Sequence, residues 1–324
     1  MNNIFLKKYK PSSIKNFKLS SEFKNLLYFL LKSDQLNILL VGENGTGKTA
    51  ILNAIVKDYY GNEYDSSNVL YINTLKEQGI HYYRNEVKIF CQTASTQKNK
   101  KKIIVLDDMD LINEQSQQIF RNCIDKYRDN ISFICSCTNI QKVIDSIESR
   151  IIVLKIPSLT LNDLLELTNE ICSNEKITLT AENKEKIITV SNNSIRNLYN
   201  NLEKCKLINK KITPQILNEI SSDIDYKKFE EFTILISDKD KKTIKTRLNN
   251  AIKVIYSIYD SGYSIIDILD NYFLFIKQST IINDDEKYTI IKYTCKYITI
   301  FYELHESKIE LALFTNNLIQ IFSD

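Results

Sequence analysis

Residues 38–56, Ile-Leu-Leu-Val-Gly-Glu-Asn-Gly-Thr-Gly-Lys-Thr-Ala-Ile-Leu-Asn-Ala-Ile-Val, decide the fold of this chain. An apolar run leads into a glycine-rich turn of the pattern G-x-x-x-x-G-K-[ST], and a second apolar stretch follows at once. This order predicts a buried strand, a tight loop and a helix. Three of the six glycines of the chain fall in the turn, where positive φ angles let backbone N–H groups point inward and cradle phosphate oxygens.

The turn therefore predicts a site for a nucleoside triphosphate. Lys48 can reach the β- and γ-phosphates, the hydroxyl of Thr49 can ligate Mg²⁺, and the helix N-terminus adds a partial positive charge. A chance glycine-rich turn is the alternative, and the flanking strand and helix argue against it. The predicted phosphate-binding residues are Gly42, Asn44, Gly45, Thr46, Gly47, Lys48 and Thr49.

A second signal is the run Ile103-Ile-Val-Leu-Asp-Asp108, an apolar strand that ends in two acids. On its own the pattern is weak, but here it follows the glycine-rich turn with a further strand between them. A strand of this kind places carboxylates beside the metal ion of a bound nucleotide. We expect Asp107 to support the coordination of Mg²⁺ and Asp108 to orient or polarise the attacking water.

Composition sets outer bounds on the function. The 324 residues are 43% hydrophobic and 26% charged, as in soluble globular proteins of two or three domains. A net charge of +3 is too small to indicate a polyanion partner, so any nucleic-acid contacts must come from local clusters. Seven cysteines without a C-x-x-C pair, and only two histidines, indicate reduced thiols and not a zinc site. With no signal peptide or membrane-length apolar run, we expect a soluble intracellular protein without a membrane partner.

The first half of the chain alternates short apolar runs with helical stretches. This alternation predicts a parallel sheet covered by helices on both faces, with its ligand at the carboxyl ends of the strands. The predicted strands are 37–41, 69–73, 102–106, 131–137 and 151–154, and the predicted helices lie near 48–58, 79–94, 113–127 and 140–147.

After Pro157 the strand signals stop. Thr160 and Asp163 have the spacing of a capping box that opens a helix, and about five more helices are expected from Tyr226 to Asp324, because apolar residues recur there at helical spacing. The helices predicted between these two regions lie near 160–173, 180–190, 194–206 and 213–222.

Together these motifs resemble the small subunits of replication factor C, the sliding-clamp loaders among the AAA+ ATPases. Tyr9-Lys10-Pro11 resembles the Tyr-Arg-Pro opening of the family, near the adenine. The segment Gly79-Ile80-x-x-x-Arg84-x-x-x-Lys88-x-Phe90 resembles its DNA-facing helix. Ser149-Arg150 resembles the Ser-Arg-Cys arginine finger, with Ile151 where the family has Cys.

Two later segments extend the resemblance over nearly the whole chain. Asn193-Ser-Ile-Arg196 resembles the Gly-Asp-Met-Arg stretch that carries the second sensor arginine, and Gly262-Tyr-Ser-x-x-Asp-Ile268 resembles a segment of the collar domain. The resemblance implies an α/β fold: an AAA+ P-loop domain with a parallel sheet (1–157), a small helical lid (158–223) and an all-α collar domain for oligomerisation (224–324).

The resemblance also implies roles for single residues. Arg150 would act in trans on nucleotide held by a neighbouring subunit. A planar, permanently charged guanidinium suits the charge that develops on a transferred phosphoryl group. The alternative for this residue is a surface salt bridge. Arg196 would touch the γ-phosphate in cis. The first sensor falls on Thr138, with Asn139 as the alternative. Tyr9 and Pro11 would lie by the adenine.

Three basic residues are candidates for contacts to DNA. Arg84 and Lys88 are four residues apart and share one helix face, and Arg121 on the next core helix is the third. Such contacts would follow phosphates without reading bases. The alternative is a solvated basic face, which is also our interpretation of the run Lys98-Asn-Lys-Lys-Lys102.

The implied function is ATP-driven, Mg²⁺-dependent loading of a sliding clamp onto primer–template DNA, in a ring or spiral pentamer with other, related subunits. Departures from the family pattern leave a second hypothesis open, a scaffold subunit that binds ATP without hydrolysing it. Asp108 stands where Glu is usual, Glu43-Asn44 where Pro-Pro is usual and Lys10 where Arg is usual. A third hypothesis is an initiator or helicase-loader ATPase, but the helical 226–324 segment argues against the winged-helix domain of that class.

Overall fold

The structure, a computed structural model, divides into two compact units, residues 1–221 and 222–324. The predicted division of the first unit at Pro157, into a core and a lid, stays a prediction. Gly79, Lys98, Asn99 and most of the expected helix near 213–222 lie outside the described residues. The structure describes residues 4–61, 64–74, 80–97, 100–208, 212–213, 216–217, 224, 226–238, 244–301 and 305–323.

Five parallel strands form the sheet of the first unit, in the order β2-β3-β4-β1-β5. The predicted parallel sheet is therefore confirmed, with strand bounds within a residue or two of those expected. The strand β1 is interior, because it pairs with β4 on one side and β5 on the other. The strands are Ile38–Val41 (β1), Val69–Asn73 (β2), Lys102–Asp107 (β3), Ile131–Cys137 (β4) and Ile152–Lys155 (β5).

Helices cover both faces of this sheet. The helices of the first unit, in the part of the chain that the structure describes, are Phe5–Lys8 (α1), Ser21–Lys32 (α2), Lys48–Tyr60 (α3), Ile80–Gln92 (α4), Glu114–Tyr127 (α5), Asp145–Glu148 (α6), Leu161–Glu175 (α7), Ala181–Val190 (α8) and Ile195–Ile208 (α9). Because side chains alternate along a strand, Ile38 and Leu40 pack towards α2 and α3, whereas Leu39 packs with α4 and α5. Every residue of β4 is buried, as a strand covered on both faces requires.

The helices α7, α8 and α9 form a small layer of their own, called here the α7–α9 bundle. Its first helix begins at the expected capping box, in which Thr160 accepts from the backbone N–H of Asp163 and the Asp163 carboxylate accepts in return. The N-terminal helix α1 also belongs to this layer, because Phe5 is buried among the bundle's apolar side chains.

The helix expected over 140–147 is wrong. The chain instead forms a 3₁₀ turn at Ile140–Lys142, two extended residues, and the short helix α6. The side chain of Gln117 on α5 stabilises this break, since its amide donates to the Lys142 carbonyl (2.9 Å) and accepts from the Ile144 N–H (3.0 Å). Such a partner, distant in sequence, is invisible to helical periodicity.

Over its described residues, the second unit consists of helices joined by turns and loops. The expected number of about five helices is confirmed, and their apolar faces meet around the fully buried Tyr272. No helix in the described part of the chain has the length and apolarity needed to cross a membrane. The helices are Tyr226–Ser237 (α10), Ile244–Tyr259 (α11), Ile265–Gln278 (α12), Asp284–Phe301 (α13) and Lys308–Ser323 (α14).

Candidate nucleotide-binding site

A cleft of about 350 Å³ lies at the carboxyl end of β1, within the first unit. One side is the glycine-rich turn from Asn44 to Thr49, called here the phosphate loop, together with Asp108. The lining also includes the rings of Tyr9, Pro11 and Tyr199. A cleft lined by both a glycine-rich turn and several rings fits a ligand with a charged tail and a flat base.

Lys48 is the most constrained polar residue of the phosphate loop. Its side chain is buried, and the ammonium donates to the carbonyls of Gly42 (2.9 Å) and Glu43 (3.1 Å) and to the hydroxyl of Thr138 (3.2 Å). The interior position of β1 brings Thr138, which directly follows β4, next to the loop. The charge is thus fixed at the strand end, where an anionic ligand would neutralise it.

The phosphate loop touches the α7–α9 bundle at Gly45. The residue has φ +83°, and a Cβ built there would lie 2.1 Å from the Ser194 hydroxyl oxygen. The backbone N–H of Ile195, at the start of α9, donates to the Gly45 carbonyl at 3.1 Å. Only glycine combines this φ with so close an approach, so this glycine couples the loop to the helix that carries Arg196.

The two acids after β3 have different surroundings. The Asp107 carboxylate accepts from the Thr49 hydroxyl at 2.6 Å and from the hydroxyl of Ser136. Ser136 also accepts from the backbone N–H of Asp108 at 3.1 Å. Sequence reasoning missed Ser136, which is fully buried in β4. The available signal was a hydroxyl near the end of an otherwise apolar strand beside the acidic one.

Asp108 faces the cleft from a left-handed backbone conformation, with φ +55° and ψ +55°. Burial raises the pKa of its carboxyl, and the neighbouring charge of Asp107 raises it further, while the ammonium of Lys48 lowers it. Aspartate tolerates the left-handed region better than most residues, and glutamate lacks the same local stabilisation. The conformation therefore offers a physical reason why the shorter acid stands here.

Thr49 and the two acids also fit a bound Mg²⁺. The donors are a hydroxyl and carboxylate oxygens, the hard ligands that this ion prefers. After the larger effect of burial, the charge of Asp107 raises the pKa of Asp108, and a divalent cation would relieve this repulsion.

Thr138 and Asn139 lie differently with respect to the loop. The Thr138 hydroxyl contacts Lys48 and donates to the Asn44 side chain at 3.3 Å. The Asn139 side chain accepts from the backbone N–H of Gln141, and so caps the following turn. The backbone N–H groups of Thr138 and Asn139 both donate to the Asp110 carboxylate. Asp110 is a further residue that sequence reasoning missed. Of the two side chains, that of Thr138 contacts the phosphate loop.

Arg196 lines the mouth of the same cleft on α9. The pKa of Asp108 is raised mainly by burial, and the positive charge of Arg196 lowers it slightly. Asn193, which stands where the family has glycine, has φ +58°. Asparagine is one of the few residues that adopt this conformation readily, so the turn before α9 is preserved without glycine.

Arg150 does not line the cleft of its own chain. Its guanidinium pairs with the Asp125 carboxylate on α5 and donates to the Ser146 carbonyl at 2.7 Å and the Ser149 hydroxyl at 3.2 Å. The side chain is about one-third exposed. These contacts of Arg150 are with α5 and with the region of α6, and none of them is with the phosphate loop or Asp108.

The three candidate DNA contacts lie on α4 and α5, which pack against each other. Arg84 and Lys88 are exposed, next to the buried stripe of Tyr83 and Val87 on α4. Arg121 is partly covered, donates to Asn122 at 2.7 Å and lies 3.9 Å from the Asp125 carboxylate. Only the first two are thus freely presented to solvent.

Comparisons with known proteins agree with this geometry. A model of the ATPase family associated with various cellular activities (AAA) matches residues 38–157. A replication factor C small subunit of Methanococcus maripaludis (strain C7) is 30% identical over 223 residues, which are 68% of this chain and 70% of that protein. One from Methanocella arvoryzae is 28% identical over 265 residues, 82% of this chain and 81% of that protein.

Among solved structures, the Thermotoga maritima RuvB Holliday junction branch migration motor has a TM-score of 0.53 at 16% identity, over 83% of this chain and 91% of that one. This likeness shows the fold alone. The parallel sheet, the phosphate loop after β1 and the AAA match define an AAA-type ATPase. Within that class the chain belongs to the replication factor C small-subunit family, which indicates a clamp-loader role in DNA replication.

Proposed function

We propose that this chain binds and hydrolyses ATP with Mg²⁺ as one subunit of a clamp loader that opens a ring clamp and places it on primer–template DNA. The other subunits would be related chains in a ring or spiral. The observation that carries this proposal is that Lys48, Thr49 and Asp108 line one cleft at the strand ends, where Asp107 accepts a hydrogen bond from Thr49.

Each residue would have a separate task. The Lys48 ammonium and the loop N–H groups would hold the β- and γ-phosphates. Thr49 and Asp107 would hold Mg²⁺, which neutralises phosphate charge when it is bound. Asp108 would accept a hydrogen bond from the attacking water, and Thr138 and Arg196 would contact the γ-phosphate. Arg150 would complete the site of a neighbouring subunit.

A second candidate, an ATP-binding scaffold without turnover, is favoured by one observation. Asp108 is one methylene shorter than the usual glutamate and has a left-handed backbone, so its carboxylate reaches less far into the cleft. Both candidates need Lys48, but only the hydrolase needs Asp108. Substitutions at these two positions therefore separate them.

The test compares Lys48→Ala and Asp108→Asn by ATP affinity in the isolated chain and by steady-state hydrolysis in the complex with its native partner subunits. Lys48→Ala should abolish measurable binding. Asp108→Asn should keep binding but lower hydrolysis at its own site by about 10²-fold, since a positioned acid–base residue contributes at least that much.

Asp108→Asn should also raise the thermal unfolding midpoint of the ligand-free chain, by about 1–3 °C. A raised pKa in the folded state means that the fold favours the protonated carboxyl. The stability that this gives is complete below the pKa of the unfolded chain, and it is lost as the pH rises through the pKa of the folded chain. At neutral pH the amide therefore removes a penalty. The control is Asp129→Asn, because Asp129 is 94% exposed.

Unchanged hydrolysis with Asp108→Asn would favour the scaffold.

A further inference from the structure

A single carboxylate at the end of α7 connects three separate pieces of the first unit. The Glu175 side chain is only 3% exposed. One of its oxygens accepts from the Lys8 ammonium and from the Tyr9 hydroxyl, each at 2.6 Å, and the other accepts from the Lys206 ammonium. Lys8 and Tyr9 follow each other at the end of α1, and Lys206 lies on α9.

This arrangement is more than a surface ion pair. Exposed pairs contribute little because water screens them and long side chains lose freedom. Here the carboxylate is withdrawn from water, although both lysine side chains remain about half exposed. A buried carboxylate that loses its donors becomes costly. The three donors are therefore held to Glu175 in one geometry.

The contact fixes the rotation of the Tyr9 ring. The ring lies edge-on to Phe5, with centroids 5.7 Å apart, and edge-on to Tyr199 at 6.3 Å. Packing against these rings limits the tilt of Tyr9, and the hydroxyl bonded to Glu175 sets the direction of its long axis. The same ring lines the cleft that the phosphate loop also lines.

We propose that Glu175 is a positioning residue for the nucleotide base: it orients the Tyr9 ring against which the base packs and ties that ring to α7 and α9. The inference rests on the proposed nucleotide binding and extends it. Glu175 does not touch the ligand itself; it acts through Tyr9.

The protonation states keep this contact intact over a wide pH range. Burial raises the pKa of Tyr9 to about 12, and the hydrogen bond to Glu175 adds to that effect. The hydrogen bond from Lys206, followed by those from Lys8 and Tyr9, lowers the pKa of Glu175 to about 2. At neutral pH the phenol is thus a donor and the carboxylate an acceptor.

The test compares ATP with inorganic tripolyphosphate, which has phosphates but no base, by displacement of a fluorescent ATP analogue from the full chain. Glu175→Gln should weaken ATP binding about five- to tenfold, which lies within the range of coupling between contacting residues, and leave tripolyphosphate binding unchanged. Tyr9→Phe, a milder variant that keeps the ring and removes the hydroxyl, should give the same pattern.

A double-mutant cycle tests the route of the effect. In a Tyr9→Leu background, where no ring remains to orient, Glu175→Gln should produce no further loss of ATP affinity. The matched control is Glu185→Gln, the same change at an exposed position on α8, which should bind both ligands as the wild type does.

Three results would overturn the inference. Equal losses for ATP and tripolyphosphate would show that Glu175 only supports the fold, and unchanged affinity for both would show that it does nothing for the site. Additive losses in the cycle would show that it does not act through Tyr9. A wild-type chain that binds neither ligand would instead refute the proposed nucleotide binding, and with it this extension.

Discussion

At Gly45 the phosphate loop has no room for a side chain. The Ser194 hydroxyl would lie 2.1 Å from an added Cβ, and the φ of +83° is itself unfavourable for other residues. The Ser194 Cβ and Cα lie on the same side, at 3.0 and 3.4 Å. A substitution here must therefore displace either the loop or the start of α9.

We predict that Gly45→Ala weakens ATP binding by at least about tenfold and destabilises the first unit by about 1–3 kcal/mol, because backbone strain and the displacement of α9 add together. Isothermal titration and thermal unfolding measure the two effects. Gly61→Ala is the control, since Gly61 also has a positive φ, of +60°, but nothing within 4 Å of the added Cβ. It should lose stability and keep its ATP affinity; equal affinity losses would contradict the role of Ser194.

Residues with local signals could be predicted from the sequence, and those with distant partners could not. Lys48 and Thr49 are part of one contiguous motif. Ser136, by contrast, gains its meaning from Asp107, 29 residues away, and Glu175 from Tyr9, 166 residues away. No local pattern marks such pairs, because the fold alone brings them together.

Among the secondary-structure elements, α4 presents its basic residues on a regular helix. The buried positions Tyr83, Val87 and Cys91 recur every four residues, and Arg84 and Lys88 follow the first two on the exposed side. Periodicity of this kind predicts whole helices well. It fails over 140–147, where the Gln117 side chain replaces helical hydrogen bonds.

We predict that Arg84→Ala reduces the slope of log K against log salt by about 0.9 for primer–template DNA bound to the assembled complex, because one phosphate contact is lost. Fluorescence anisotropy at salt concentrations from about 50 to about 200 mM measures the slope. Lys57→Ala, at an exposed position on α3 on the other side of the sheet, should leave it unchanged. An unchanged slope for Arg84→Ala would mean that α4 is a solvated face.

For the whole molecule, the separation of Arg150 from its own cleft gives a prediction about assembly. In a complex where the adjacent site is the only one able to hydrolyse ATP, Arg150→Ala should lower turnover by about 10³-fold, the scale of an arginine finger. ATP binding by the substituted chain itself should not change, since Arg150 does not line that cleft.

The control for this experiment is Arg128→Ala, which removes an arginine that is 72% exposed beside Asp129. The isolated wild-type chain should hydrolyse ATP slowly, because no neighbour supplies the guanidinium. Full activity in a verified monomer, or an Arg150→Ala effect confined to the chain's own site, would contradict action in trans.

The interior position of β1 has a consequence for how the ligand site is lost. Each of its four residues pairs with both β4 and β5, and the N–H groups of successive residues point alternately to these two neighbours, so the opening of one ladder frees only alternate amide protons of the strand. Partial unfolding that begins at the edge strand β2 leaves those ladders intact. Nucleotide capture should therefore persist through fraying at β2 and weaken when the other edge strand, β5, separates from β1.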